Sequence, residues 1–92
     1  MENDEKITRR FMPDVLRRYR DNAGLSQQEL ADSIGVSKGF ISALEGGRSV
    51  PNLDRLVQIA DALQVSPGEL ANAMLEDAAK ELGKKIHVNK NK

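Results

Sequence analysis

Two short amphipathic stretches, each opened by a serine, meet at a single glycine in LSQQELADSIGVSKGFISALEGG, residues 25–47. The first reads as a helix of barely two turns. Ser26 is its N-cap, Glu29 completes a capping box three residues on, and Leu30, Ala31 and Ile34 share one face before Gly35 ends it. The second takes Ser37 as N-cap, sets Phe40 or Ile41 with Leu44 on its inner face, and stops at the Gly46-Gly47 pair. Helices joined by so short a turn cross at roughly 90–120°. The corner needs a residue that adopts φ > 0 without penalty, and Gly35 supplies it. Val36 is expected to point back between the helices, and Ala31 is small enough to let the second helix approach closely. The start of that helix then projects from the body, leaving Lys38, Gly39, Ser42 and Ala43 uncommitted to a core.

Helical spacing continues on both sides. A first helix is predicted from Met12 or Pro13 to Ala23, with Pro13 in its first turn, Val15, Leu16 and Tyr19 facing inward and Gly24 as its stop. After a loop from Arg48 to Pro51, Asn52 caps a fourth helix. Its Leu53, Leu56, Val57, Ile59, Ala60 and Leu63 form a broad apolar face, expected to be the main wall of the core. Ser66-Pro67 with Glu69 opens a fifth helix that runs through Leu70, Met74, Leu75, Ala78 and Leu82 to Gly83. Aromatics are 3% of the residues and β-branched side chains rarely alternate with polar ones, so strands are not expected. The prediction is an all-α, compact five-helix domain over residues 9–83. A mobile arm at 1–8 precedes it and a basic mobile tail at 84–92 follows, with Ile86 and Val88 available for local packing.

Size and charge narrow the function. A chain of 92 residues supports one core. It has no cysteine, hence neither a disulfide framework nor a thiolate metal site. No apolar run approaches the roughly 18–20 residues of a membrane span, and MENDEK lacks the basic and apolar regions of a signal peptide, so a soluble cytoplasmic protein without a membrane partner is expected. Fourteen basic residues balance fourteen acidic ones. That balance argues against sequence-blind nucleic-acid binding, which is driven by net positive charge, and leaves placement to decide. Basic residues cluster at Arg9, Arg10, Arg17, Arg18 and Arg20, at Lys38 and Arg48, and at Lys84, Lys85, Lys90 and Lys92, while acids concentrate between Asp54 and Glu81. A single His87 in a polar tail makes no metal site, and no carboxylate pair lies in an apolar setting. Neither an enzyme, a metal, a cofactor nor a small-molecule effector is expected.

A projecting helix end lined by Lys38, Ser42 and Ala43 suits a DNA major groove. The segments LRRYRDNAGLSQQELA, IGVSKGFISALEGG and VPNLDRLVQIADALQVSPGEL, in that order and spacing, resemble the lambdoid repressor and Cro-like helix-turn-helix domains, often called the Xre-like group. The likeness covers about residues 13–75, with the helix-turn-helix itself at 26–46. It implies a lambda-repressor-like fold and a sequence-specific regulator of transcription that binds double-stranded DNA, with RNA polymerase as a further partner. Base-reading positions of the family fall on Lys38, Gly39, Ser42 and Ala43. Lys38 can donate to guanine O6 and N7 or neutralise a phosphate, and Ala43 can press on a thymine methyl. Gly39 stands where many relatives carry a polar side chain. Phosphate-contacting positions fall on Gln27, Ser37, Phe40, Arg48, Ser49 and Asn52. Phe40 lacks the hydroxyl common there and either packs inward or touches sugar or thymine. Arg20 and Glu45 match a partly buried structural ion pair, whereas Arg17 and Arg18 are either phosphate neighbours or solvated, and Arg9 and Arg10 either form a flexible arm along the duplex or are solvated.

One such module reads few base pairs and competes poorly with random DNA. The fifth helix, 66–83, extends beyond the need of a five-helix core, and its Met74, Leu75, Ala78, Ala79 and Leu82 would leave an exposed stripe in a monomer. A homodimer on a pseudo-palindromic operator is therefore expected, of the phage or plasmid repressor or restriction-modification controller type. The competing arrangement folds Leu75 and Leu82 back on the first helix. The competing function is a protein-interaction module, a coactivator or an antitoxin, on the same scaffold.

Overall fold

Four of the five helices begin where a side chain takes up a free backbone amide. Ser26 Oγ accepts from Glu29 N at 3.0 Å while Glu29 Oε1 accepts from Ser26 N at 2.8 Å, a complete capping box. Ser37 Oγ accepts from Phe40 N at 3.1 Å, Asn52 Oδ1 from Arg55 N at 2.8 Å, and Ser66 Oγ from Glu69 N at 3.0 Å. Each bond satisfies one of the amides left without an intrahelical partner, worth about 1 kcal/mol per cap. The computed structural model describes the backbone of residues 2–83 and the side chains of residues 7–83. In it α1 spans Glu2–Asn22, α2 Gln27–Ile34, α3 Lys38–Glu45, α4 Leu53–Ala62 and α5 Pro67–Leu82. Strands are absent among these residues. The expected tail at 84–92, with Ile86, His87 and Val88, lies outside the described residues.

The corner between α2 and α3 is built as the glycine requires. Gly35 has φ 73° and ψ 34°, a left-handed conformation, and Val36 N donates back to Ala31 O at 3.0 Å. Ala31 is fully buried and Val36 packs against the core. The chain therefore turns α3 sharply off α2 while keeping the two in contact.

α1 departs from expectation. It begins at Glu2, ten residues before Met12, and passes through Pro13, so residues 2–8 are helical rather than a separate arm. A mid-helix proline removes one hydrogen bond and clashes with the preceding turn, at a cost of about 3 kcal/mol. Tertiary contacts of the turn before it offset this. Met12 is fully buried, Phe11 packs against the core, Arg10 pairs with Glu81, and Arg9 Nη1 donates to Gly47 O at 3.1 Å.

The core lies between α1 packed on α3 and α5, and α2 packed on α3 and α4, with α4 also meeting α5. It holds Val15 and Leu16 of α1, Leu30 and Ala31 of α2, Ile41 and Leu44 of α3, Ile59 and Ala60 of α4, Leu63 beyond it, and Leu70, Ala73 and Met74 of α5. α4 contributes less than its pattern suggests, because Leu53 and Val57 are exposed, at 73% and 45%. α5 packs along α1, and Arg18 Nη1 of α1 bonds Asp77 at 3.1 Å and Asp14 at 2.9 Å.

That packing overturns part of the expected exposed stripe. Met74 and Ala78 are buried within the single chain, each only 5% exposed. Both are covered within the chain, so neither is free for a second copy. Leu75 is 53% exposed, whereas Leu82, 38% exposed, borders a pocket with Ile7 and Phe11 of α1, so of the alternative in which both fold back on α1 only the Leu82 part is approached.

Candidate nucleic-acid interface

Glu45, the last residue of α3, organises the site from beneath. Its carboxylate is the buried charged group among the described residues, and two other helices, α1 and α2, supply its partners. Arg20 of α1 grips it bidentately, Nε donating to Oε2 at 2.6 Å and Nη2 to Oε1 at 3.0 Å. Gln27 of α2 donates its amide Nε2 to Oε1 at 2.9 Å, and Arg17 Nε lies 3.9 Å from the same oxygen. A further Arg20 bond, Nη1 to Leu25 O at 2.8 Å, fixes the chain just before α2. The expected Arg20–Glu45 pair is thus present, and the start of α2 and the end of α3 are locked to α1 through one carboxylate.

Burial alone would raise the Glu45 pKa. The donors from Arg20 and Gln27, with the charges of Arg20 and Arg17, outweigh it and hold the carboxyl below its ordinary value of 4.5. A pKa lower in the folded than in the unfolded chain gives stability that is fully present above 4.5 and lost as pH falls through the folded-state value. Urea midpoints are therefore expected to fall as pH drops below 4.5, and Glu45→Gln should lower the neutral-pH midpoint while flattening this acid limb. An unchanged acid limb in the variant would assign the dependence to other carboxylates.

Above this anchor the amino end of α3 stands clear. Lys38 and Gly39 are exposed, and Ser42 and Ala43 are half-buried along the same helix. Lys38 and Ser42 are four residues apart and therefore share a face. Arg48, exposed in the following turn, reaches back so that its Nη2 lies 3.5 Å from Ser42 Oγ. It crosses Gly46, where a Cβ would collide with the guanidinium and come within 3.2 Å of Ser42 O. Lys38, Ser42 and Arg48 thus lie along one edge. Ser49 is half-buried beside it, its amide donating to Ala43 O at 3.3 Å, and Asn52 is exposed at the start of α4.

Gly39 is not required by the protein's own packing. A Cβ there would meet only Ser37 Oγ, at 3.7 Å, which is ordinary contact. Gly39→Ala is expected to raise stability by about 0.5–1 kcal/mol through helix propensity and the unfolded chain, read as a higher urea midpoint. A lower midpoint would show a packing role that the open space around Gly39 does not suggest.

The structure gives Gln27 and Arg17 places that differ from those expected, and Phe40 one of its two alternatives. Gln27, expected on a phosphate, directs an amide proton to Glu45, because a buried carboxylate needs every available donor. Phe40 packs inward, half-buried against the core, and Arg55 of α4 lies over its ring at 5.5 Å from the centroid. Arg17 is held at α3, its Nη2 donating to Glu45 O at 3.1 Å. Arg55 went unnoticed in the sequence. It also bonds Gln58 Oε1 at 2.8 Å, and a cation beginning an apolar helix gives no periodic signal.

A family model described as helix-turn-helix matches residues 16–70, which takes in α2, α3 and the exposed edge. The chain belongs to the helix-turn-helix family. Among its relatives, an uncharacterized HTH-type transcriptional regulator of Methanothermobacter thermautotrophicus is 41% identical over 69 residues, covering 75% of this chain and all of the relative. The cryptic phage CTXphi transcriptional repressor RstR of Vibrio cholerae is 36% identical over 67 residues, 73% of this chain. The chain spans 60% of that repressor's length. Among solved structures, the clp gene regulator ClgR from C. glutamicum superposes with a TM-score of 0.71 at 28% identity, covering 76% of this chain and 91% of that one. A helix-turn-helix regulator domain is a binding domain, so family membership places this chain outside the enzymes. No described helix is long and apolar enough to cross a membrane.

Proposed function

We propose that the chain is a sequence-specific, double-stranded-DNA-binding regulator of transcription that acts as a homodimer on a pseudo-palindromic operator. The observation that carries this is the exposed amino end of α3, with Lys38 at its tip and Ser42 and Arg48 along the same edge. With no net charge to hold random DNA, affinity has to come from this placement. Lys38, Ser42 and Ala43 read base edges, and Gly39 lets the backbone approach closely. Arg48, Ser49, Asn52 and the hydroxyl of Ser37 contact phosphates, together with the second amide proton of Gln27. A phage transcriptional repressor among the relatives named above supports a regulatory role of this kind.

Leu75 and Leu82, exposed and seven residues apart on α5, are the surface for the second copy. Two half-sites one helical turn apart, about 34 Å, supply the discrimination that a single module lacks. Leu82→Asp is expected to convert the dimer to a monomer by sedimentation while leaving the helical signal unchanged. A parent chain that sediments as a monomer at high concentration would remove the dimer from the proposal. Selection of bound duplexes from a random pool tests the rest: recovery of one sequence with dyad symmetry is expected, and a pool that stays random would contradict it.

A further inference from the structure

The C-terminus of α3 is completed by a different helix. Four carbonyl groups at this end need donors. Ser42 O accepts from Gly46 N at 2.9 Å, Ala43 O from Arg48 N at 2.9 Å, and Leu44 O from Gly47 N at 3.3 Å, all within the turn. Two further carbonyls, Glu45 O and Gly47 O, are reached from α1, by Arg17 Nη2 and Arg9 Nη1, each at 3.1 Å. α3 has no basic residue in its own last turn, so both cations that favour its negative end come from elsewhere.

Arg9, Pro13 and Arg17 are successive positions four apart and so form one stripe of α1. That stripe lies against the turn: a Cβ on Gly47 would sit 3.8 Å from both Arg9 O and Pro13 Cγ.

We propose that Arg9 and Arg17 are positioning residues. They cap α3 in trans and hold the 46–49 turn, and with it Arg48 and Ser49, in register with the reading end at Lys38 and Ser42. The Arg9–Arg17 stripe of α1 is then part of the DNA-binding apparatus without touching DNA. The link to DNA rests on the function proposed above, whereas the capping itself does not.

The test is the full chain carrying Arg9→Met and Arg17→Met, compared with Arg9→Lys and Arg17→Lys. Met keeps the length of the side chain and removes the donor, while Lys retains charge and a donor. Without DNA, amide exchange at Gly46, Arg48 and Ser49 is expected to speed up by about tenfold in the Met form, with Ile59 and Leu70 unchanged, and to return most of the way in the Lys form. On a selected duplex the Met form should bind about tenfold more weakly with the salt slope of the parent, because positioning residues release no counterions. A slope lower by about one for each arginine, with unaltered exchange, would make them phosphate ligands and overturn the proposal. Exchange accelerated equally in all helices, or no recovery with Lys, would overturn it too. If the parent binds no duplex, the DNA reading fails, and the exchange comparison still decides whether the two arginines cap α3.

Discussion

Replacing Arg20 with Met is expected to lower the unfolding free energy by about 3–5 kcal/mol, because it leaves the Glu45 carboxylate buried without its main partner. The magnitude follows from burial. Glu45 is 4% exposed and accepts two Arg20 bonds, of 2.6 and 3.0 Å, so water cannot replace the lost guanidinium without opening the junction of three helices. An exposed pair would cost no more than about 1 kcal/mol. Removing both charges is a different perturbation: Arg20→Met with Glu45→Leu exchanges the pair for apolar volume and is expected to recover at least half of the loss. Urea unfolding of the two single variants and the double variant gives the cycle. A single-variant loss below about 1 kcal/mol would mean that the site is wet and that the carboxylate does not anchor α3. Loss of DNA binding in the single variant would report this damage rather than a missing contact.

The second large effect falls on binding. Ser42→Glu is expected to weaken affinity for a selected duplex by more than about a hundredfold, since a carboxylate brought against the duplex is repelled by several kcal/mol. The same carboxylate would draw Arg48 onto itself, because the guanidinium already lies 3.5 Å from Ser42 Oγ, and so divert the cation proposed to contact a phosphate. Stability should change little, since position 42 is only half-buried on the outer side of α3. Titration of a labelled duplex at fixed salt, with a urea midpoint for the same protein, separates the two readouts. Equal affinity in the variant would take Ser42, and the edge it defines, out of the interface.

How far the sequence foretold all this depends on the kind of signal. Caps and corners were legible because each is local. Ser26, Ser37, Asn52 and Ser66 all cap as their spacing predicts, and Gly24 and Gly35 take positive φ where a turn demands it. Gln64 takes φ 62° after α4 with no glycine to announce it. The length of α1 was not legible, because Pro13 locally disfavours a helix interior while distant partners, Gly47 and Glu81, support it. The faces of α4 and α5 were misjudged for a related reason. Periodicity marks an apolar stripe but not its width, so Leu53 and Val57 were counted into the core and Met74 and Ala78 out of it. In the site, Lys38 and Arg48 stand exposed as expected. The engagements of Gln27, Arg17 and Arg55 were hidden, since each is a long polar side chain whose partner lies on another helix.

Amide shift changes on adding a dyad-symmetric duplex chosen by selection would locate the contacted surface residue by residue. Perturbations are expected to concentrate on residues 37–43 and 48–49, with α5 affected only near Leu75 and Leu82. Changes centred on α4 or α5 with Lys38 and Ser42 silent would contradict the assignment of the amino end of α3 as the surface that meets DNA.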